Sequence, residues 1–183
     1  MQFTCGVRLD TVLAMAWELA QVNYARLRAP LDDPALAFFV ANLEPVNAAA
    51  DAAPGFRWRL ATEDGDATAI RAFEWDLGDS VGVIVNMSVW DSVESLASFT
   101  FGGLHRAVLR RRREFFEHIS EPSAALWWVP AGQWPTTDDA EARVRHLRRH
   151  GPTPTAFTLR STFPPPDVSP VPEPGRDDWL CPA

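Results

Sequence analysis

The stretch from Val81 to Trp90 alternates with the two-residue period of a β-strand, and its two faces differ in character. One face is purely apolar and consists of Val81, Val83, Val85, Met87 and Val89. The other mixes an amide, a hydroxyl and an indole with small residues, and consists of Gly82, Ile84, Asn86, Ser88 and Trp90. A mixed face of this kind is typical of a ligand-pocket wall.

A second strand is predicted from Trp17 to Leu27, and it repeats the mixed pattern. Gln21 and Asn23 fall on one side of it among small apolar groups. The pattern also predicts strands at 56–61, with Phe56, Trp58 and Leu60 on one face, and at 123–129, with Trp127 and Trp128 on opposite faces. A weaker pattern indicates a further strand at 67–75, and a last strand is predicted at 156–163.

Helices are predicted between these strands by their caps and apolar stripes. Asp33-Pro34 begins one helix, whose predicted stripe is Leu36, Phe39, Val40, Leu43 and Val46. Ser92 or Asp91 caps a short helix that ends at Gly102-Gly103, and a longer one is expected over 105–120. A capping box at 136–139 begins the last helix, which ends before Gly151.

This order of elements predicts a single α+β domain over residues 17–163, built on one antiparallel sheet with helices on one face. The mixed face would then stay uncovered, and an exposed face of that size favours a homodimer in which two sheets meet. Residues 1–16 are interpreted as an N-terminal extension. Residues 164–183 are rich in proline and acidic groups, which predicts a disordered tail.

Composition narrows the classes of function. The net charge is −7, which argues against nucleic-acid binding. All 17 basic residues are arginine, so no lysine chemistry is available. The two cysteines, Cys5 and Cys181, do not have the spacing of metal ligands. No stretch is long and apolar enough to span a membrane. A cytoplasmic protein is therefore expected. The run 110–113 is interpreted as a solvated face paired with Glu114 and Glu117.

Five stretches of the chain resemble a bacterial family known as domain of unknown function 3291; they cover residues 19–30, 86–90, 110–115, 128–132 and 150–154. The resemblance implies a ferredoxin-like dimeric α+β barrel, a group that includes the antibiotic biosynthesis monooxygenases. A strand that ends in tryptophan, then a short helix, then a histidine recurs in that group. Trp90 and His105 occupy these places here.

The predicted site combines these residues. His105 is the candidate acid–base group, and Asn86 is the second catalytic candidate. Buried amides must bond either a ligand or one another, so Gln21, Asn23 and Ser88 are predicted to contact substrate, with a cross-strand network as the alternative. The residues expected to stack on a flat ligand are Trp58, Trp90, Trp127 and Trp128. No metal site is predicted: His146 and His150 have the spacing to share a metal, but no further ligands.

Three functions fit this site. The first is a cofactor-independent monooxygenase of natural-product or aromatic polyketide metabolism that acts on a flat hydrophobic substrate. The second is a cyclase, isomerase or dehydratase that uses the same pocket without oxidation. The third is a protein that binds haem or another hydrophobic ligand, as related barrels do, with His105 as the axial ligand.

Overall fold

A computed structural model describes residues 16–166, so the predicted N-terminal extension, apart from its last residue, and most of the predicted tail lie outside the described residues. The strands are β1 (Trp17–Arg26), β2 (Phe56–Arg59), β3 (Val83–Trp90) and β4 (Ala124–Pro130). The helices are α1 (Ala37–Ala41), α2 (Leu43–Asp51), α3 (Val93–Phe101), α4 (Gly103–Arg110), α5 (Arg112–Phe115) and α6 (Thr137–His150). Short 3₁₀ turns lie at Pro34–Leu36 and Glu74–Asp76.

The four strands form one sheet in the order β2-β3-β1-β4, and every neighbouring pair is antiparallel. The register of the central pair sets Gln21 opposite Ser88 and Asn23 opposite Asn86. The chain crosses from β1 to β2 through α1 and α2, and from β3 to β4 through α3, α4 and α5. The predicted α+β class and single antiparallel sheet are therefore confirmed.

One face of the sheet is the apolar face that the alternation predicts. Its side chains pack against the buried stripe of α6, and this cluster includes Ala20, Val22, Tyr24, Val85, Met87, Val89, Ala125, Trp127, Ala140, Val144 and Leu147. The predicted capping box is present at the start of α6, where Thr136 and Asp139 bond each other's backbone N–H groups. Gly151 ends the helix with a φ of 70°, as its predicted role requires.

The segment before β3 is fastened to this apolar face by a polar network around Asp76. Its carboxylate accepts hydrogen bonds from Tyr24 Oη at 2.5 Å, Arg26 Nη2 at 2.8 Å and Arg148 Nη2 at 2.9 Å. Burial alone would raise the pKa of Asp76, but the bonds from Arg148 and Tyr24 outweigh it and hold the pKa at about 2. Because the carboxylate stays ionised, the two arginines remain paired.

The other face, called here the amide face, is covered by helices as well, so the prediction of helices on one face only is wrong. The connections through α1–α2 and α3–α5 both return over the amide face, while α6 covers the opposite one. Two apolar clusters close its ends. The Trp90 cluster contains Leu19, Trp90, Leu96, Leu126, Phe157 and Phe99. The Phe115 cluster contains Leu27, Leu36, Phe39, Phe115, Ile84 and Phe116.

Four local predictions also change. A β-bulge between Phe56 and Trp58 shifts the register of β2, so these two side chains enter different clusters. The helix expected over 105–120 is interrupted at Arg111 and ends at Phe115, because Phe116 is extended and bridges to β1. The stretches 67–75 and 156–163 form no strand in the described structure; the second makes only isolated bridges, such as Phe157 to β4. Val40, expected in the first helix's buried stripe, is 39% exposed.

Candidate active site on the amide face

A cavity of about 1110 Å³ lies between the amide face and helices α1–α5. The two apolar clusters bound it at either end, and the polar side chains of β1 and β3 form its floor. Of the predicted site residues, it is lined by Gln21, Asn23, Asn86, Ser88, Trp90 and His105. The register of β1 and β3 is what brings the first four of these together.

A cross-strand network joins three polar groups of the cavity floor. Gln21 Nε2 donates to Asn86 Oδ1 at 2.9 Å and to Ser88 Oγ at 3.0 Å. Trp90 Nε1 donates to the same Ser88 oxygen at 2.8 Å. The alternative of amides bonded to one another therefore holds for Gln21, which has used both of its amide protons.

The network nevertheless leaves hydrogen-bond donors free in the cavity. Ser88 Oγ already accepts two bonds, so its own proton remains available to donate. Between residues 16 and 166, no group accepts from the amide nitrogens of Asn86 or Asn23, and both side chains are exposed to the cavity. These donors are able to stabilise negative charge on a bound ligand.

Trp90 serves as a wall of the cavity rather than as a free stacking surface. The residue is fully buried, and its ring contacts Phe56 edge-on at 5.4 Å and stacks on Phe99 at 5.2 Å between centroids. Its indole N–H is committed to Ser88. Trp90 therefore fixes the position of the serine hydroxyl and of Phe99.

His105 lies at the same end of the cavity, where its ring is 4.9 Å from that of Phe99. Its Nδ1 is 2.8 Å from the carbonyl oxygen of Thr100. A carbonyl can only accept, so Nδ1 carries the proton and Nε2 is unprotonated, and no group within residues 16–166 donates to Nε2. Burial lowers the pKa of His105 and outweighs the opposing effect of the Thr100 bond, so the ring is neutral near pH 7.

Local sequence explains how His105 reaches this place. Ser92 caps α3 by accepting from the Ser95 N–H, and the helix runs to Phe101. Gly102 and Gly103 then turn the chain, with Gly103 at a φ of 44°. The turn starts α4 directly against the end of α3, so His105 falls beside Phe99 and the Thr100 carbonyl.

Three predicted stacking residues do not line the cavity, which corrects the sequence prediction. The bulge in β2 turns Trp58 towards the apolar face, where it stacks on Trp134 at 5.9 Å. Trp127 is buried in the same apolar cluster. Trp128 lies on the other side of β4, but it packs beside Phe157, and its N–H donates to the carbonyl oxygen of Phe163.

The sequence prediction also missed several cavity residues. Phe99, on the short helix α3, lies between Trp90 and His105 and contacts both rings. Arg59 lines the cavity because the bulge sets it opposite Ser88. Arg112 and Arg113 were assigned to a solvated face, although their spacing of seven and eight residues from His105 follows one face of a helix.

No group of three or more metal-ligating side chains occurs within residues 16–166. His146 Nε2 lies 2.8 Å from Thr153 Oγ1, and its ring is 4.6 Å from that of His150. In the same part of the chain, no helix has the length and apolar character to cross a membrane.

Comparison with family models confirms the resemblance to domain of unknown function 3291. No curated protein matches the chain. Among solved structures, the chain is similar to one titled "Crystal structure of NE2512 protein of unknown function from Nitrosomonas europaea", with 16% identity and a TM-score of 0.39. That match covers 67% of this chain and 98% of the other. The family described as "Domain of unknown function (DUF3291)" matches over residues 18–173, so the chain belongs to this family.

Proposed function

We propose that the protein is an enzyme that performs acid–base catalysis on a flat hydrophobic small molecule in the amide-face cavity. The observation that carries the proposal is the state of His105, a neutral imidazole of the cavity lining whose Nδ1 is bonded to the Thr100 carbonyl, which leaves Nε2 unprotonated. A base of this kind removes a proton from an acidic carbon or a phenol. The free donors of Asn86, Asn23 and Ser88 would stabilise the resulting oxyanion.

The reaction that we favour is cofactor-independent monooxygenation, as in the antibiotic biosynthesis monooxygenases that the family resembles. His105 takes a proton from an activated methylene group, and the carbanion transfers electrons to dioxygen and forms a C–O bond. Loss of water from the peroxide then gives a carbonyl, with the second methylene hydrogen leaving as a proton. One oxygen atom stays in the product and the other leaves as water, so the substrate alone supplies the electrons.

We further propose that the fold is a ferredoxin-like barrel that acts as a homodimer. The strand order β2-β3-β1-β4, with crossovers after β1 and β3, supports the ferredoxin-like part. Because helices cover both faces of the sheet, two sheets would not meet directly; the exposed cavity residues Asn23, Asn86 and Ala124 support instead a dimer in which a second copy closes the opening of the cavity. Light scattering coupled to size exclusion tests this: a mass of two chains is expected, and a monomer at micromolar concentration contradicts it.

Oxygen uptake with anthrone as the probe substrate tests the monooxygenase. We expect His105→Gln to lower the rate by about 100-fold or more, the usual contribution of a general base. His150→Gln is the matched control, because His150 is an exposed histidine that does not line the cavity. Uptake that is equal in wild type and His105→Gln would refute the role of the imidazole.

The same groups also support a non-oxidative cyclase, isomerase or dehydratase, because proton transfer and oxyanion stabilisation do not require dioxygen. Turnover that continues at an unchanged rate without oxygen would favour this second function. The free Nε2 is also able to ligate haem. A Soret band that appears on haem titration and is lost in His105→Gln would replace both proposals with a haem-binding function.

A further inference from the structure

The cavity is strongly biased towards positive charge, although the chain as a whole has a net charge of −7. Five arginines line it against two carboxylates, Asp66 and Glu117. Asp66 is already used in its own turn, where it accepts hydrogen bonds from the backbone and hydroxyl of Thr68. A cavity with this balance attracts an anion.

The arginines differ in whether an acidic partner neutralises them. Arg59 is paired with Asp51 at 2.8 Å, and Arg111, outside the cavity, with Glu114 at 2.7 Å. Arg28 donates to the carbonyl oxygen of Phe116 and has no acidic partner among the described residues. Neither Arg112 nor Arg113 forms an ion pair within residues 16–166, and Arg112 bonds only to a backbone carbonyl. Their charge is therefore available to a ligand.

These three arginines come from chain segments at one end of the cavity. The backbone N–H of Arg28 donates to the Phe115 carbonyl at 3.0 Å, which joins the end of β1 to α5. Arg112 and Arg113 begin α5 itself. This end is formed by the Phe115 cluster, whereas His105 lies beside Phe99 in the Trp90 cluster.

Helices α4 and α5 carry lining residues at both ends of the cavity. His105, Leu109 and Arg112 all line the cavity, at intervals of four and three residues. The break at Arg111 separates His105 and Leu109 on α4 from Arg112 on α5. Between these ends run the floor amides of β1 and β3 and the apolar side chains of Val108 and Leu109.

We infer that the substrate is an elongated aromatic acid whose carboxylate binds Arg28, Arg112 and Arg113, at the opposite end of the cavity from the group that His105 deprotonates. This inference rests on the proposed function, and it names the chemical class that the same site accepts. Arginine suits such a group because its planar donors match the two oxygens of a carboxylate. The arginines would then hold the carboxylate end of the molecule, and the acidic C–H or O–H at its other end would lie at His105.

A pair of fluorescent probes tests the charge requirement. Toluidinonaphthalene sulfonate carries an anion at the end of an aromatic skeleton, and toluidinonaphthalene is the same skeleton without it. We expect the sulfonate to bind wild type more tightly, and Arg112→Gln and Arg113→Gln each to weaken its binding by up to about fivefold, the upper range for an exposed ion pair. Affinity for the neutral probe should stay unchanged. Arg110→Gln is the matched control, because Arg110 is exposed and does not line the cavity.

The outcomes separate this inference from the proposed function. Loss of the sulfonate preference in Arg112→Gln and Arg113→Gln, with full preference in Arg110→Gln, supports it. Equal affinity of the two probes in wild type, or an equal loss in all three variants, overturns it and leaves the acid–base proposal standing. Failure of both probes to bind would overturn the ligand cavity and with it both proposals.

Discussion

The substitution Asp76→Asn tests how the chain holds the segment before β3 on the apolar face of the sheet. The folded structure lowers the pKa of Asp76 from 3.8 to about 2, and its side chain is only 11% exposed. That shift corresponds to on the order of 2 kcal/mol of stability when the carboxylate is ionised. The substituted amide would keep an acceptor but lose the charge that pairs Arg26 and Arg148, so we expect a loss of about 2 kcal/mol at pH 7, or roughly 4–8 °C in Tm.

The pH dependence provides the sharper test. The pKa is lower in the folded state than in the unfolded chain, so the carboxylate stabilises the fold above about pH 4 and progressively less as the pH falls towards 2. Urea unfolding between pH 3 and pH 7 should therefore show a gap between wild type and variant that narrows in acid. Glu74→Gln is the control, since Glu74 and its partner Arg71 are exposed and little change is expected. A gap that is constant with pH, or equal for both variants, would refute this account.

Three further predictions follow from the site and its supports. Ser88→Ala should lower stability by about 1–3 kcal/mol in thermal unfolding, because it leaves the buried N–H of Trp90 without an acceptor. In a Trp90→Phe background the added cost should fall to that of the part-buried Gln21 bond alone. Gly55→Ala should destabilise the fold more than Gly65→Ala, since both have positive φ but only the first would press a Cβ into neighbouring side chains. The pKa of His105 in an NMR titration should lie below 6.5, because burial disfavours its charged form.

The strands that carry the cavity floor were predictable because their side chains alternate strictly. The two-residue period places Gln21 and Asn23 on one face of β1, and Asn86 and Ser88 on one face of β3. The position of His105 was predictable from the double glycine before it. The pairing between the strands could not be predicted from the sequence. This pairing places Asn86 and Ser88 where the side-chain amide of Gln21 donates a hydrogen bond to each of them.

The wrong predictions have two physical causes. The first cause is a single bulge in β2, which reverses the face that each later residue occupies and which no residue type in Phe56–Arg59 indicates. Trp58 was therefore predicted on the wrong face of the sheet, and Arg59 was not predicted to line the cavity. The second cause is the arrangement of the helices over the two faces of the sheet. Alternation shows which face of a strand is apolar, but not which helix covers it, so the covered amide face and the cavity side of Arg112 appeared only in three dimensions.

The protonation state of His105 during ligand binding tests the central claim most directly. Nitrogen NMR distinguishes a protonated from an unprotonated Nε2, and an anaerobic titration with anthrone keeps the first proton transfer separate from oxidation. The free protein should show Nδ1 protonated and Nε2 bare at pH 7, and Nε2 should gain a proton as anthrone binds. A ring that already carries its proton on Nε2, or one that does not respond to bound anthrone, would contradict the account.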